Sequence, residues 1–303
     1  MSDRTRGPVL LTGATGFVGS RLYPRLRESG LEVVCGSRRP DQASQQHPDR
    51  TWVELDVSRP ETLEPAMEGC RSALYLIHQI SGSDYVETER RSARRFAEAA
   101  DRAGLERIVY LGGVRPGGTP SKHLESRLET GRVLRQGPVS CVELRAAMIV
   151  GAGSASWQIV CDLASRLPAM LLPTWTRSRS QPVWIGDVVE AVLGALRLSE
   201  DQAGWYDIPG PDTLTVEDIL RTTANLMGKD PWLVDVPFLS PKLSSYWLRF
   251  VTSCNYELAR ELVEGLKYDL LADDDSFWER IGHAERCGFE EAARRELARR
   301  DRD

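Results

Sequence analysis

Short apolar runs alternate with amphipathic segments through the first half of the chain. Six such runs end at glycine or polar residues: PVLLTG, LEVVCGS, TWVELDV, ALYLIH, RIVYLGG and SCVELRAAMIV. Segments with helical spacing lie between them, including SRLYPRLRESG and the long SDYVETERRSARRFAEAADRAG. This alternation predicts βαβ units around a parallel sheet whose strands are buried on both faces. We expect that sheet over residues 1–150.

The second half of the chain is less regular. QPVWIGDVVEAVLGALRL predicts a short strand, a helix capped by Asp187, and a return to the core at about residues 180–200. TLTVEDILRTTANLMG predicts a helix with a threonine cap and an acidic first turn. Further helices are predicted in SSYWLRFVTS, in NYELARELVEGLK and in the tail FEEAARRELARR, the last as a solvated helix. The predicted fold class is α/β: a Rossmann-type, doubly wound parallel sheet with a smaller, mainly helical substrate region over residues 151–180 and 201–303.

Composition narrows the possible functions by exclusion. The 303 residues include 39 Lys and Arg against 44 Asp and Glu, giving a formal net charge of −5. The basic footprint of a nucleic-acid-binding protein is therefore missing. Six cysteines lie at none of the short spacings of metal or redox sites, which predicts reduced thiols and no metal in a cytoplasmic protein. The glycine-containing apolar run near the N-terminus lacks a signal-peptide cleavage site, and no run approaches the roughly 20 residues of a membrane helix.

The strongest motif is a glycine-rich turn in LLTGATGFVGSRL. Gly13, Gly16 and Gly19 stand three residues apart between the first predicted strand and the first predicted helix. Glycine at such a turn lets the backbone approach a diphosphate, and the helix N-terminus offers free N–H groups. A glycine triplet is a weak signal by itself, but its position at the start of a βαβ series predicts a dinucleotide site.

The end of the second strand indicates which dinucleotide binds. NAD-binding proteins carry an acidic residue there for the ribose 2′-hydroxyl, whereas this strand ends at Ser37, Arg38 and Arg39. One hydroxyl and two cations suit a 2′-phosphate, which predicts NADP(H); the alternative is ordinary surface charge. Asp56, after the third strand, either accepts a hydrogen bond from the adenine amino group or caps the next loop.

With these motifs the chain resembles the short-chain dehydrogenase/reductase superfamily in its extended and atypical branches. TGATGFVG, ELDV, YLIH, IVYLGG, ELRAAMIVGAG, QPVWIGDVVEAV and YDIPGPDTLTVEDIL follow in the expected order. More narrowly, it is similar to the atypical NAD(P)H-binding group with the NmrA-like regulators and the nucleotide-binding accessory subunit of respiratory complex I. The similarity covers most of positions 8–228. It implies further cofactor-binding residues: Thr15, Phe17, Val18, Val57, Ile77, His78, Gly112, Arg127, Ala147 and Met148.

The resemblance also locates the expected catalytic residues. Active members carry a serine after the fifth strand, then a tyrosine and a lysine four residues apart on the next helix. Here the strand ends at Gly112 and Gly113, and His123 and Arg127 occupy the Tyr-x-x-x-Lys positions within SKHLESR. Serine, tyrosine and lysine have thus become glycine, histidine and arginine.

Two functional interpretations follow from this replacement. A histidine with a pKa near 6.5 can donate a proton at neutral pH, and arginine can hold ribose hydroxyls or a phosphate. In the first interpretation His123 is the general acid of an NADPH-dependent reductase, Arg127 orients the cofactor, and the substrate is a hydrophobic, aromatic or conjugated small molecule. In the second, the chain is a non-catalytic NADP(H)-binding redox sensor or assembly protein. The sequence leaves both open, together with a monomeric or homodimeric state.

Aromatic residues in the second half are candidates for the substrate pocket. Large rings in loops at the carboxyl ends of the strands can stack on a flat substrate, and they equally can fill the core. Arg177 and Arg179 either meet an anionic group or are ordinary surface residues, and His78 is either near the ribose or structural. The candidate substrate contacts are Gly113, Trp157, Trp175, Trp184, Tyr246 and Trp247.

Overall fold

A computed structural model describes residues 7–78, 84–166, 169–172, 174–230, 232–235, 261–262 and 264–300. Only the backbone is described at 169–172, 174–175 and 232–235. Tyr246 and Trp247 lie outside the described residues, as do most of the helices predicted around them, and so does the side chain of Trp175.

The centre of the fold is a seven-stranded sheet with the order β11-β6-β5-β4-β1-β2-β3. Every neighbouring pair in it is parallel, which confirms the predicted doubly wound α/β fold. The strands are β1 Val9–Leu11, β2 Val33–Ser37, β3 Thr51–Glu54, β4 Ser72–Tyr75, β5 Arg107–Gly113, β6 Ser140–Ala146 and β11 Gly204–Asp207. Short pairs flank the sheet: β7 Ile149–Val150 with β10 Val183–Trp184, β8 Ala169–Leu172 with β13 Trp232–Asp235, and β9 Arg179–Ser180 with β12 Leu214–Thr215.

Helices connect the strands and cover the sheet. They are α1 Phe17–Glu28, α2 Pro40–Gln46, α3 Leu63–Met67, α4 Tyr85–Arg102, α5 Lys122–Arg135, α6 Ala155–Arg166, α7 Ile185–Arg197 and α8 Val216–Leu226. A one-turn helix, Phe277–Arg280, and the tail helix, Phe289–Arg300, follow.

The apolar runs form strands because both faces of the sheet are covered. Along β5, Val109 and Leu111 belong to one apolar cluster, whereas Ile108 and Tyr110 belong to another. The first cluster includes residues of α1 and α7, and the second includes residues of α3, α4 and α5. A continuous apolar run with no exposed face is what a two-sided core requires.

The tail helix is not the solvated helix that its charges predict. Phe289, Ala292, Ala293 and Glu296 are buried, and their spacing places them along one stripe of the helix. The apolar members join a third cluster with residues of α6 and α8. The opposite face carries exposed i,i+4 pairs such as Arg294–Glu290, so the prediction is wrong for one face only.

Two helix-cap predictions have opposite outcomes. Thr215 caps α8 and forms a reciprocal capping box with Asp218, as predicted. Asp187 does not cap α7: its buried carboxylate is hydrogen-bonded to His283 Nε2 and to the backbone N–H of Cys287, both at 2.9 Å. The Asp187 prediction is wrong because the carboxylate ties the 283–287 segment to α7 instead.

The described cysteines are free thiols. Cys35, Cys70, Cys141 and Cys161 are buried, and Cys287 is half-buried. Burial raises the pKa of Cys35, Cys70 and Cys161 to about 11, and it also raises the pKa of Cys141 and Cys287. Cys254 lies outside the described residues. None of the described helices is long and apolar enough to span a bilayer.

Candidate active site

The glycine-rich turn leaves β1 and leads directly into α1. Gly13 has a φ of +62°, a left-handed conformation that favours glycine. A Cβ on Gly19 would lie 2.2 Å from the Gly13 carbonyl oxygen and 2.9 Å from Ala14 Cα. Because both neighbours are backbone atoms, no side-chain rotation relieves this contact. The turn and the first turn of α1 therefore pack too closely for any residue but glycine at these positions.

Two side chains that the sequence analysis missed hold this turn in place. Thr12 Oγ1 donates to the Leu74 carbonyl at 2.8 Å and accepts from the Leu76 backbone N–H at 2.9 Å, so it joins the ends of β1 and β4. Arg50 Nη1 donates to the Ala14 carbonyl at 3.1 Å. The chain offers no motif for these contacts, because they depend on strand order.

The N-terminus of α1 is suited to an anion. Its cap residue, Gly16, supplies no side-chain hydrogen bond, so the N–H groups of the first turn are left for a ligand. The first turn also contains no acidic residue, and the positive end of the helix dipole faces the turn. The residues present therefore fit the diphosphate of a dinucleotide.

The turn opens into a cavity of about 410 Å³, within the roughly 300–1,000 Å³ range of small-molecule sites. Twelve of the sequence-predicted site residues line it: Gly13, Gly16, Phe17, Val18, Gly19, His78, Gly112, Gly113, His123, Arg127, Ala147 and Met148. The remaining wall is largely aliphatic and comes from α6, α8 and the segment near residue 265: Ile159, Val160, Leu163, Val216, Ile219, Leu220, Leu262, Leu266 and Leu270. One end of the cavity is thus polar backbone, and the other is apolar side chains.

His123 and Arg127 lie on the first turns of α5, whose N-cap Ser121 accepts a hydrogen bond from the Leu124 backbone N–H. Arg127 Nη2 donates to the Leu111 carbonyl at 2.9 Å, which fixes the guanidinium at the end of β5. A Cβ on Gly113 would lie 3.4 Å from Arg127 Nε and 3.1 Å from Leu124 Cδ2. The absence of a side chain at Gly113 therefore leaves room for Arg127 at the end of β5.

A buried carboxylate lies behind these residues. Glu89, on α4, is only 6% exposed and accepts a hydrogen bond from Ser126 Oγ. Its Oε1 is 3.8 Å from His78 Nδ1. Glu89 could not be singled out from the sequence, because a glutamate within a charged helical segment is typical of a solvated face. It brings a carboxylate close to His78 and His123.

Both histidines of the cavity are held in their neutral form. Burial and the nearby Arg127 guanidinium lower the pKa of His123 to about 3, and the same two causes lower the pKa of His78. Glu89 opposes both shifts without overcoming them. At neutral pH each imidazole therefore carries one N–H donor and one acceptor.

We expect these histidines to make the protein less stable in mild acid. In the unfolded chain a histidine takes up a proton below pH about 6.5, while folded His123 stays neutral. The unfolded state therefore binds more protons, and the stability of the folded state decreases as the pH is lowered. The free energy of unfolding should fall by up to about 1.4 kcal/mol per pH unit below 6.5 for this residue. Denaturant titrations from pH 7 to pH 5 should show a smaller loss in His123→Gln. Equal losses in the two proteins would contradict the assignment.

The predicted 2′-phosphate residues lie at the end of β2 and are not among the residues that line the cavity. Arg38 and Arg39 are exposed, and Ser37 Oγ accepts from the Arg39 backbone N–H at 3.1 Å. Asp56 accepts hydrogen bonds from both the hydroxyl and the backbone N–H of Ser58. Burial alone would raise the pKa of Asp56, but these hydrogen bonds and the nearby Arg38 have the larger, opposite effect. The pKa is therefore lowered from its ordinary value, and the carboxylate is ionised at neutral pH.

The other predicted site residues with described side chains do not line the cavity. Thr15 is exposed in the glycine turn, whereas Val57 and Ile77 pack into the core beside α3 and α4. Trp157 is 2% exposed and packs edge-on against Phe289. Trp184 is partly buried, and its Nε1 donates to Glu296 Oε1 at 3.0 Å.

The two arginines predicted for an anionic group are not part of the cavity wall either. Arg179 is paired with Asp269 at 2.7 Å, and Arg177 lies in the short helical turn Thr174–Arg177.

Comparisons with known proteins agree with this geometry. Residues 13–159 match a family model described as NAD(P)H-binding. The chain is 25% identical over 249 residues to a ceramide reductase of Caulobacter vibrioides, covering 78% of this chain and 76% of the relative. It is 30% identical to a 3-beta-hydroxysteroid dehydrogenase of Mycolicibacterium neoaurum over 115 residues, about a third of each chain.

Solved structures share the fold over almost the whole chain. The NADP(H) complex of Citrobacter sp. triphenylmethane reductase superposes with a TM-score of 0.75 at 17% identity, covering 96% of this chain and 100% of that one. A nucleoside-diphosphate-sugar epimerase of Staphylococcus aureus gives 0.76 at 14% identity, covering 95% and 99%. Residues 13–159 thus match an NAD(P)H-binding family model, and the chain as a whole shares the Rossmann-type fold of these reductase and epimerase structures.

Proposed function

We propose that this protein is an NADP(H)-dependent reductase of a hydrophobic small molecule. The observation that carries the proposal is the single cavity that runs from the glycine turn, past His123 and Arg127, to an aliphatic wall. The similarity to proteins named ceramide reductase and triphenylmethane reductase supports a reductase with an apolar substrate.

The cofactor half of the site would be held by backbone and by cations. The first turn of α1 would bind the diphosphate, and Arg38 and Arg39 would bind the 2′-phosphate, with Ser37 beside them. Arg127 would hold the ribose nearest the reacting ring, at the end of β5. A bound NADPH would supply the hydride.

The aliphatic wall favours an apolar substrate with few polar atoms. The lining residues from α6 and α8 carry no charge, and neither do Leu262, Gly265, Leu266 and Leu270. The carboxylate of Glu261 is the one acidic group among the described lining residues. Tyr85 donates to Glu261 at 3.4 Å. A buried apolar surface of this kind selects substrates mainly by the hydrophobic effect. A ketone or conjugated double bond attached to a large hydrocarbon or aromatic body fits this chemistry.

The role of His123 in this site is to stabilise developing negative charge on the substrate. A neutral imidazole donates a hydrogen bond through its N–H and polarises a carbonyl without first carrying an extra proton. In the general-acid part of the proposal, the imidazole N–H passes its proton to the product alkoxide while the other ring nitrogen takes up a proton from water, so that no imidazolate is left. Arg127, one turn away, would add a fixed positive charge that favours the same oxyanion.

We propose the domain division in the same terms. The nucleotide-binding core would comprise residues 1–150 and the returning segment near 180–200, continued by β11 Gly204–Asp207 of the same sheet. Residues 151–180 and the remainder of 201–303 would bind the substrate. The cavity wall supports this division, since α6, α8 and the residues near 265 contribute its aliphatic part.

Purified protein tests the proposed function directly. We expect NADPH to raise the melting temperature more than NADH, and NADPH oxidation, followed by ultraviolet absorbance, to proceed with long-chain or aromatic ketones and enones but not with small polar ketones. Tight NADPH binding without oxidation by any member of the panel would favour the second candidate, a non-catalytic NADP(H)-binding sensor or assembly protein. That candidate is supported by the replacement of the family's serine, tyrosine and lysine. If the protein bound neither NADPH nor NADH, both candidate functions would be overturned.

A further inference from the structure

The tail helix brings a buried carboxylate to the rim of the cavity. Glu296 is 2% exposed and accepts three hydrogen bonds from residues distant in sequence. Its Oε2 accepts from the Ala152 backbone N–H at 2.9 Å and from Arg21 Nη2 at 3.4 Å, and its Oε1 accepts from Trp184 Nε1 at 3.0 Å. Both oxygens of the carboxylate are thus engaged, by groups from three separate segments.

The backbone of Ala152 is held at both its N–H and its carbonyl. Glu296 accepts from its N–H, and Arg21 Nη2 donates to its carbonyl at 3.3 Å. Arg21 lies on α1, two residues beyond Gly19, so the tail helix, the 151–155 segment and α1 meet at this point. Gly153, Ser154 and Ala155 of the same segment line the cavity.

The 151–155 segment in turn packs on the first residue of α1. A Cβ on Gly151 would lie 2.6 Å from Phe17 Cζ, and a Cβ on Gly153 would lie 3.2 Å from Phe17 Cδ2. Phe17 follows Gly16 directly, and its backbone N–H is part of the anion-binding turn. A displacement of the 151–155 segment therefore acts on the turn that would bind the diphosphate.

We infer that Glu296 is a positioning residue of the coenzyme site: by holding Ala152, it fixes Phe17 and the first turn of α1 for the dinucleotide diphosphate. This inference rests on the proposed coenzyme binding and extends the site to a helix near the opposite end of the chain. It assigns a role to the one charged residue in the buried stripe of the tail helix.

A carboxylate is needed at this position because every contact demands an acceptor. Ala152 N–H, Trp184 Nε1–H and Arg21 all donate. The amide of a glutamine has one acceptor oxygen, and its NH₂ group would face another donor. Glu296→Gln thus preserves size and shape while creating one donor–donor contact in a buried place, which costs more than a missing surface hydrogen bond.

The test is the affinity of Glu296→Gln for NADPH, measured by titration calorimetry beside wild type. We expect affinity to fall by about 10-fold, the equivalent of about 1.4 kcal/mol. Adenosine 2′-monophosphate carries the 2′-phosphate but neither phosphate of the diphosphate, so it would contact only the Arg38–Arg39 end and should bind both proteins equally. Glu290→Gln is the matched control, since Glu290 is exposed on the same helix and pairs only with Arg294 among the described residues.

A second substitution separates positioning from general destabilisation. Trp184→Phe removes one donor, so in the Glu296→Gln background the amide oxygen can accept from Ala152 without a donor–donor contact. We expect this double variant to recover much of the NADPH affinity. If Glu296→Gln fails to fold, Arg21→Met, which removes the donor to the Ala152 carbonyl, should show the same selective loss. Unchanged NADPH affinity in the folded variant, or equal losses for both ligands, would overturn the inference; absence of binding to wild type would instead overturn the proposed function.

Discussion

Replacing His123 by alanine is expected to lower NADPH oxidation with a hydrophobic substrate by about 100-fold or more, the lower end of the usual range for general acid–base groups. The reason is that His123 lines the cavity beside Arg127 and offers the N–H donor expected at the substrate oxygen. Because its pKa is about 3, the turnover rate of wild type should show no break near pH 6.5 from this residue. Steady-state kinetics from pH 5 to pH 8 measures both effects.

Two further variants make the His123 result specific. His123→Gln retains an N–H donor and should keep more activity than His123→Ala. His47→Ala serves as the matched control, since His47 lies beside Trp52, away from the cavity-lining residues. NADPH affinity should be nearly unchanged in both His123 variants. Full activity in His123→Ala would remove this residue from the chemistry.

Replacing Arg38 and Arg39 together by alanine should weaken NADPH binding by about 10- to 100-fold and leave NADH binding nearly unchanged. Hydrogen bonds to a charged phosphate are stronger than neutral ones, and every 1.4 kcal/mol is a factor of ten in affinity. Both arginines are exposed, so solvent screening keeps the effect toward the lower end. Titrations of both nucleotides with both proteins give the ratio directly.

Arg59→Ala is the control for this pair. Arg59 is exposed near the end of β3 and is already paired with Glu54 and Glu61, so its removal should change neither affinity. The effect of the double variant should also weaken at high salt, because exposed charges are screened. A preference for NADPH that survives in Arg38→Ala/Arg39→Ala would mean that another group binds the 2′-phosphate.

The fold and the glycine turn were predictable because their signals are local and agree with each other. Apolar runs alternate with helical segments, and the glycines stand at the first strand–helix junction. His123 and Arg127 were located by the resemblance to the Tyr-x-x-x-Lys positions, and helix geometry adds that residues four apart share a face. Both line the cavity. These features depend on chain order and backbone geometry, which the sequence carries directly.

The tail helix shows where a pattern was present and misinterpreted. Phe289, Ala292, Ala293 and Glu296 follow helical spacing, yet the glutamate and its charged neighbours indicate a solvated helix. What the stripe packs against depends on α6 and α8, more than 60 residues earlier. Buried carboxylates with distant donors, such as Glu89 and Glu296, are invisible to periodicity because their partners are set by tertiary structure.

The tryptophans illustrate a different limit. Trp157 and Trp184 stand in segments that reach the site, but the direction of a ring depends on packing and not on spacing. Trp157 packs against Phe289 of the tail helix, and Trp184 donates to Glu296. The aliphatic cavity wall, in contrast, comes from ordinary leucine, isoleucine and valine positions that no motif distinguishes from core.

The burial of the cysteines bears on the sensor alternative. Peroxide and similar oxidants attack the thiolate form of cysteine, and burial keeps the five described sulfur atoms protonated. At these five positions the folded chain offers such oxidants almost no thiolate. If the protein reports on the redox state of the cell, these five thiols are therefore poor detectors of such oxidants.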